Sequence, residues 1–159
     1  METDVKRLEL IDEERVRKVA CVAMFFLLIA AGCSQKANSF SLSVGDCYNG
    51  DVLGGEFIEV GDVDIVSCSE PHLYEVYSDF ELIGSSWPGE STVADRAFQE
   101  CLSLFQSFVG IGYDYSEWYM AALWPTEDSW KDIDDRVVTC LLTTENDQLT
   151  TGSARGTRR

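Results

Sequence analysis

The sequence has few of the residues on which most catalytic and metal sites depend. It contains a single histidine, His72, and it lacks the G-x-S-x-G, C-x-x-C and H-x-x-x-H patterns. A hydrolytic triad needs a base beside its nucleophile, and a zinc site needs several closely spaced ligands. We therefore expect no enzymatic activity, no metal and no cofactor. A catalytic role for His72 is the lesser alternative to a structural one, in which its ring bonds to the turn at residues 68–71.

Positive charge is also scarce. Twelve lysines and arginines stand against 28 aspartates and glutamates, which gives a formal net charge of −16. Such a chain is repelled by nucleic acid phosphates and by anionic lipid headgroups, so neither is an expected partner. The acidic run Asp132–Asp135 lacks the alternating D-x-D-x-D-G loop of calcium sites. A well-solvated surface is therefore a better interpretation of the acidity than calcium binding.

The longest apolar run is too short for a permanent membrane span. It covers the 14 residues Val19–Gly32, whereas a spanning helix needs about 20. Basic residues precede it at positions 15, 17 and 18, and it ends in A-A-G-C. This pattern predicts a lipoprotein export signal over residues 1–32, with the lipid on Cys33 holding the chain at the outer face of the cell membrane.

The N-terminus also allows other interpretations. The signal could be an ordinary cleaved one, or a short anchor that is retained. The acidic segment before Val16 is long for this part of a signal, which indicates either a mis-assigned start or a genuine cytoplasmic extension.

Four cysteines remain in the exported part besides Cys33, namely Cys47, Cys68, Cys101 and Cys140. In an oxidising compartment, four cysteines in a small domain predict two disulfides, each worth about 2–4 kcal/mol. Three pairings are possible on number alone.

Hydrophobic periodicity divides the exported part into a tether over residues 33–43, a domain over 44–145 and a flexible basic tail over 146–159. Alternating apolar residues predict strands within 56–68 and 72–82, and again within 117–125 and 135–143. In the second of these, Tyr74, Val76, Phe80 and Leu82 are expected on one face.

A helix is predicted between the two pairs of strands. Thr92 and Asp95 have the spacing of a capping box, and an apolar stripe then continues to Gly110. The order ββαββ predicts an α+β domain, in which one helix covers an antiparallel sheet of about four strands.

The helix also indicates which cysteines pair. Cys101 lies in the apolar stripe, and Cys140 shares a strand face with Val138 and Leu142. A Cys101–Cys140 disulfide would then join helix to sheet, leaving Cys47–Cys68 to close the N-terminal loop. This pairing depends on the predicted facing of the side chains.

Aromatic residues are dense between positions 113 and 130. Exposed aromatics often dominate binding surfaces, so His72, Trp118, Tyr119 and Trp130 form a candidate binding surface. The alternative is that these rings fill the core, because Trp118 falls on one strand face together with Met120, Ala122 and Trp124.

Several segments together resemble one family. The segments VGDCYNG, IVSCSEPHLYEV, WPG, FVGIGYD, DDRVVTC and TGSARG are similar to the actinobacterial septum-formation-related domain family over residues 44–156. Where members usually have Gly before the Asp-Arg pair, this chain has Asp134. The resemblance implies a small, disulfide-bonded extracytoplasmic module with a role in the envelope or in division, and it supplies no catalytic residues.

These observations predict a non-enzymatic envelope lipoprotein that binds or scaffolds an envelope protein or cell-wall component, in connection with septum formation. One alternative is an enzyme acting on envelope glycan, with a cleft lined by Trp118, Trp130 and a carboxylate. Another is a ligand-binding accessory protein.

Overall fold

The computed structural model describes residues 35–37, 41–50 and 63–159. The described residues all belong to one compact unit, Ser34–Arg159. The predicted export signal, Cys33 and part of the first predicted strand lie outside the described residues.

The described domain is a six-stranded antiparallel sheet with one long helix. The strands run in the order β1-β3-β2-β4-β6-β5 across the sheet. Their bounds are β1 Gln35–Ala37, β2 Cys47–Asn49, β3 Val63–Val66, β4 Tyr74–Glu81, β5 Tyr119–Leu123 and β6 Val137–Thr143. The long helix, α1, is Glu90–Val109, and a short helix, α2, is Glu127–Asp132. The predicted α+β class, with its antiparallel sheet and one main helix, is confirmed.

Two short strands and the short helix were not predicted. Part of the expected tether forms β1, because backbone pairing with β3 does not require apolar side chains. The three residues of β2 lie among turn residues, which hid their alternation. The helix α2 is held by a capping box in which Thr126 and Ser129 each bond the other's backbone N–H.

The start of α1 was predicted too late. The helix begins at Glu90, and its N-cap is Gly89, whose φ of 94° suits glycine. Thr92 and Asp95 lie inside the helix and make no cap, so the predicted capping box is wrong. The end is as expected, because Gly110 adopts the left-handed conformation and its N–H bonds the carbonyl of Gln106.

A bulge in β4 changes which side chains share a face. The register with β6 shifts between Val76 and Ser78, and an extra residue reverses the alternation beyond it. Tyr74 and Val76 therefore pack on one face of the sheet, whereas Leu82 packs on the other with α1. The prediction of a single shared face for this strand is wrong.

The main core lies between α1 and the sheet. Val93, Ala97, Cys101, Phe105 and Phe108 are the buried stripe of the helix, which packs on side chains of β4, β5 and β6. Phe98 was expected in this stripe but is 45% exposed. Cys101 forms a disulfide with Cys140 inside this core, and Cys47 forms one with Cys68. These are the two pairings that the predicted orientation of the cysteine side chains favoured.

The last residues are packed on the domain, so the expected flexible tail is wrong. Thr150 exchanges two backbone hydrogen bonds with His72, each 2.9 Å long. The backbone N–H groups of Gly156 and Arg158 bond the carbonyls of Phe108 and Val109, at 2.8 and 2.9 Å. The last carbonyls of a helix lack partners within it, and this segment supplies two. We call residues 150–158 the C-terminal clasp.

Candidate functional site

The four residues of the predicted binding surface do not form one surface. His72, Trp118 and Trp130 are 1%, 6% and 2% exposed, whereas Tyr119 is 44% exposed. The core interpretation of the aromatic residues is therefore correct for the two tryptophans. Met120, Ala122 and Trp124 pack on the same core as Trp118, as the alternation of the strand indicated.

Trp130 is buried by contacts within its own domain. The guanidinium of Arg136 lies 3.7 Å from the centre of its ring, and Trp87 meets it edge-on with ring centroids 5.6 Å apart. Arg136 also donates hydrogen bonds to the carbonyls of Trp130 and Gly84. A glycan cleft lined by Trp118 and Trp130 is therefore not present, because stacking on sugar needs an exposed ring face.

His72 has the structural role that the sequence favoured. Its Nδ1 lies 2.8 Å from the carbonyl oxygen of Glu70, within the turn after Cys68. Its Nε2 has no hydrogen-bond partner and is buried. The ring is therefore enclosed by its own domain.

Glu75 is a buried carboxylate that the sequence did not single out. It is 3% exposed, and its Oε2 accepts a hydrogen bond of 2.7 Å from the backbone N–H of Ala154, while Ser153 Oγ donates to Oε1. The clasp thereby satisfies a charge that would otherwise be costly to bury. The resemblance to a family through residue 156 was the one signal that the clasp belongs to the domain.

Several groups that could hold a metal already have other partners in the described part of the chain. One cluster there combines Cys47, Cys68 and Glu75 within 4.8 Å, but the two sulfurs form a disulfide and are not thiolates. In the acidic run, Asp134 pairs with Arg136 at 2.6 Å. Asp135 accepts bonds from Ser129 Oγ and from the backbone of Val137, so it stabilises its own turn.

Among the described residues, a shallow and open apolar groove between α1 and β5 is a candidate binding site. Its volume is about 530 Å³ and its lining residues are Phe98, Gln99, Leu102, Tyr113, Asp114 and Met120. Phe98 and Leu102 are 45% and 47% exposed, and Phe98 rests on Trp124 with ring centroids 6.2 Å apart. We call this the α1–β5 groove. The sequence did not reveal it, because the spacing of Phe98 is that of a core residue.

Comparison with known proteins identifies the family. The model of the septum-formation family matches residues 44–159. The chain belongs to the septum-formation family. The resemblance inferred from the sequence motifs is thus confirmed, and the family match includes the clasp. No solved structure matches the chain.

One curated relative is a protein named "Putative lipoprotein LppN" from Mycobacterium bovis (strain ATCC BAA-935 / AF2122/97). It is 31% identical over 117 residues, which are 72% of this chain and 63% of the relative. The chain therefore spans less than two thirds of that relative's length. Among the described residues, no helix has the length and apolar character needed to cross a membrane.

Proposed function

We propose that this septum-formation family member is a lipoprotein of the cell envelope. A lipid on Cys33 would hold it at the outer face of the membrane, and its domain would bind an envelope protein or cell-wall component during septum formation without catalysing a reaction.

The observation that carries this proposal is the pair of disulfides in a domain that follows a predicted lipoprotein signal. Cys47–Cys68 and Cys101–Cys140 are bonds of a kind that persists in oxidising, extracytoplasmic compartments. The A-A-G-C pattern that ends at Cys33 supplies the small residues that precede a lipidated cysteine. The name of the mycobacterial relative supports the same interpretation.

Binding is supported over catalysis by where the polar and apolar groups lie. The buried Glu75 bonds the clasp, and the buried His72 bonds its own turn, so both have structural partners. Apolar side chains are exposed instead, in the α1–β5 groove. An exposed apolar groove is typical of a surface that binds a partner.

Intact mass of the protein extracted from membranes tests the anchor and the disulfides together. We expect cleavage before Cys33, an added acyl mass, and a loss of about 2 Da for each disulfide. Cys33→Ala is the matched control and should lose both the acyl mass and the cleavage before residue 33 while keeping both disulfides. An unmodified chain that retains residues 1–32 would contradict the proposal.

Fluorescence imaging of dividing cells tests the link to septum formation. A fusion of this chain to a fluorescent protein should be enriched at the septum when Cys33 is present. A pull-down from crosslinked membranes should also capture a specific partner. A uniform distribution with no specific partner would contradict a septal role.

A further inference from the structure

The strand β5 forms an open edge of the sheet beside the α1–β5 groove. It is the last strand in the order and, among the described strands, it pairs with β6 alone. Its backbone groups on the side away from β6 therefore have no strand partner in the described part of the domain. Such a row of N–H and C=O groups is a template for an added strand.

This edge lacks the features that usually prevent unwanted pairing. The sequence YMAAL of β5 has no charged residue and no proline, and its register with β6 runs without a bulge from Tyr119 to Leu123. Natural sheet edges are protected by charges, prolines, bulges or short length. The opposite edge, β1, has only three residues. The longer edge, whose five residues include no charge and no proline, is therefore suited to pairing.

The groove would receive side chains of a strand added to β5. Met120 of β5 lines the groove together with Phe98 and Leu102 of α1. Side chains of a strand alternate between the two faces of a sheet. Every second residue of an added strand would therefore face the groove. Apolar side chains at those positions would bind most favourably, because the groove is apolar.

The charge of the residues around β5 distinguishes between the possible binding partners of this edge. Asp114 lines the groove and Asp128 follows β5 closely, whereas Glu117 pairs with Arg159 and Glu127 with Lys131. From Cys33 onward the chain has seven basic and 22 acidic residues, a net charge of −15. A second copy would bring the same charge to this edge, whereas a segment with basic ends would be attracted.

We propose that β5 and the α1–β5 groove bind an extended segment of a partner protein. That segment adds a strand to β5, places apolar side chains at alternate positions into the groove, and carries Lys or Arg at its ends. This proposal rests on the proposed function, since it names the site and the partner chemistry of the same binding role.

Binding of a fluorescent peptide to the full-length protein in detergent tests the proposal. The probe has the sequence KKVTVTVTKK, and fluorescence anisotropy reports its affinity. We expect the matched peptide EEVTVTVTEE to bind at least about tenfold more weakly. A KKVTVTVTKK peptide with alternate backbone nitrogens methylated should also lose binding, because it cannot extend the hydrogen-bonded ladder.

Lysine substitutions locate the site. The double variant Phe98→Lys/Leu102→Lys should weaken binding by at least about tenfold. Both side chains are about half exposed, so the fold should survive, and circular dichroism checks this. Ile83→Lys is the matched control, since Ile83 is 90% exposed and does not line the groove, and its affinity should equal that of the parent protein.

Hydrogen exchange of the unmodified protein is a second measurement that needs no variant. Bound peptide should slow amide exchange within residues 119–123. Absence of binding up to about 1 mM, equal affinity for the two charged peptides, or protection that omits β5 would overturn the proposal. A concentration-dependent dimer protected at β5 would also overturn it, because the occupant would then be a second copy.

The groove and the proposed function can fail separately. If the Phe98→Lys/Leu102→Lys protein still captures its partner and remains at the septum, the groove is not the binding site and the proposed function stands. If the unmodified protein is neither anchored nor enriched at the septum, the proposed function fails whatever the peptide binds.

Discussion

The two halves of the sheet are stabilised by different means. The half formed by β4, β6 and β5 is covered by α1, and 14 described residues form its buried cluster. The second buried cluster has five described residues and lies on the opposite face of the sheet, with members in β2, β3, β4 and β6. On the α1 side, the half with β2 and β3 carries the Cys47–Cys68 disulfide and the clasp beside Glu75. Where apolar burial is limited, covalent and polar links supply the stability instead.

Removing the disulfides should have the largest effect. Cys101→Ala/Cys140→Ala should lower the free energy of unfolding by about 4 kcal/mol, and Cys47→Ala/Cys68→Ala by about 3 kcal/mol, because the closed loops span 39 and 21 residues. Urea unfolding measures both values.

The two disulfide variants should also differ in which part of the domain unfolds locally. Without Cys47–Cys68, hydrogen exchange should accelerate in β2 and β3 while α1 stays protected. Uniform acceleration across both halves would contradict the difference between them.

Breaking the link between Glu75 and the clasp should have the next largest effect. Glu75→Ala leaves the N–H of Ala154 without its acceptor, so we expect a loss of about 2 kcal/mol and faster exchange in residues 150–158. Ser153→Ala, which removes one donor to the same carboxylate, should cost about 1 kcal/mol. Equal stability of Glu75→Ala and the parent protein in urea would show that the clasp holds without this carboxylate.

Each half contains a buried tyrosine, and removing its hydroxyl should change the stability by a smaller amount. The hydroxyl of Tyr77 donates a 2.7 Å hydrogen bond to the carbonyl of Cys101, whereas the buried hydroxyl of Tyr48 has no partner. Tyr77→Phe should therefore cost about 1 kcal/mol, and Tyr48→Phe should be neutral or slightly stabilising. Thermal unfolding of the two variants measures the difference, and a larger loss for Tyr48→Phe would reverse the comparison.

The same tyrosines make stability fall at alkaline pH, with no effect near neutrality. Burial raises the pKa of both, with a smaller contribution from Tyr74 beside Tyr48 and from Tyr113 beside Tyr77. Above about pH 10 the unfolded chain releases protons that the folded chain keeps, so the free energy of unfolding decreases as pH rises. Tyr48→Phe/Tyr77→Phe should reduce this decrease in urea titrations at pH 8 and 11, and an unchanged pH dependence would contradict the assignment.

The features that could be predicted from the sequence were those whose hydrophobic pattern continues over many residues. The stripe of α1 and the alternation of β5 and β6 extend over enough residues to show their buried faces, and these placed Cys101 opposite Cys140. Features that depend on one residue were missed or misjudged. The bulge after Val76 moved Leu82 to the other face, and Gly89 rather than Thr92 begins the helix.

The candidate site was harder to predict than the fold, because exposure depends on tertiary neighbours. Phe98 and Trp130 both appear in the sequence as aromatics within apolar patterns. Arg136 and Trp87 cover Trp130, whereas Phe98 stays 45% exposed. The arginine that covers the ring is six positions away along the chain, and the other tryptophan is 43 positions away, so no local pattern distinguishes the two cases.

The clasp has a consequence for the order of events in biosynthesis. The carboxylate of Glu75 and the carbonyls of Phe108 and Val109 receive their partners from residues 154, 156 and 158, which the ribosome adds after them. If the domain is exported as proposed, it cannot complete its hydrogen bonding until those residues have also crossed the membrane. Cys47 and Cys68 would therefore meet the oxidising compartment before the segment that lies beside them arrives. Their oxidation should precede final folding in a pulse-chase experiment.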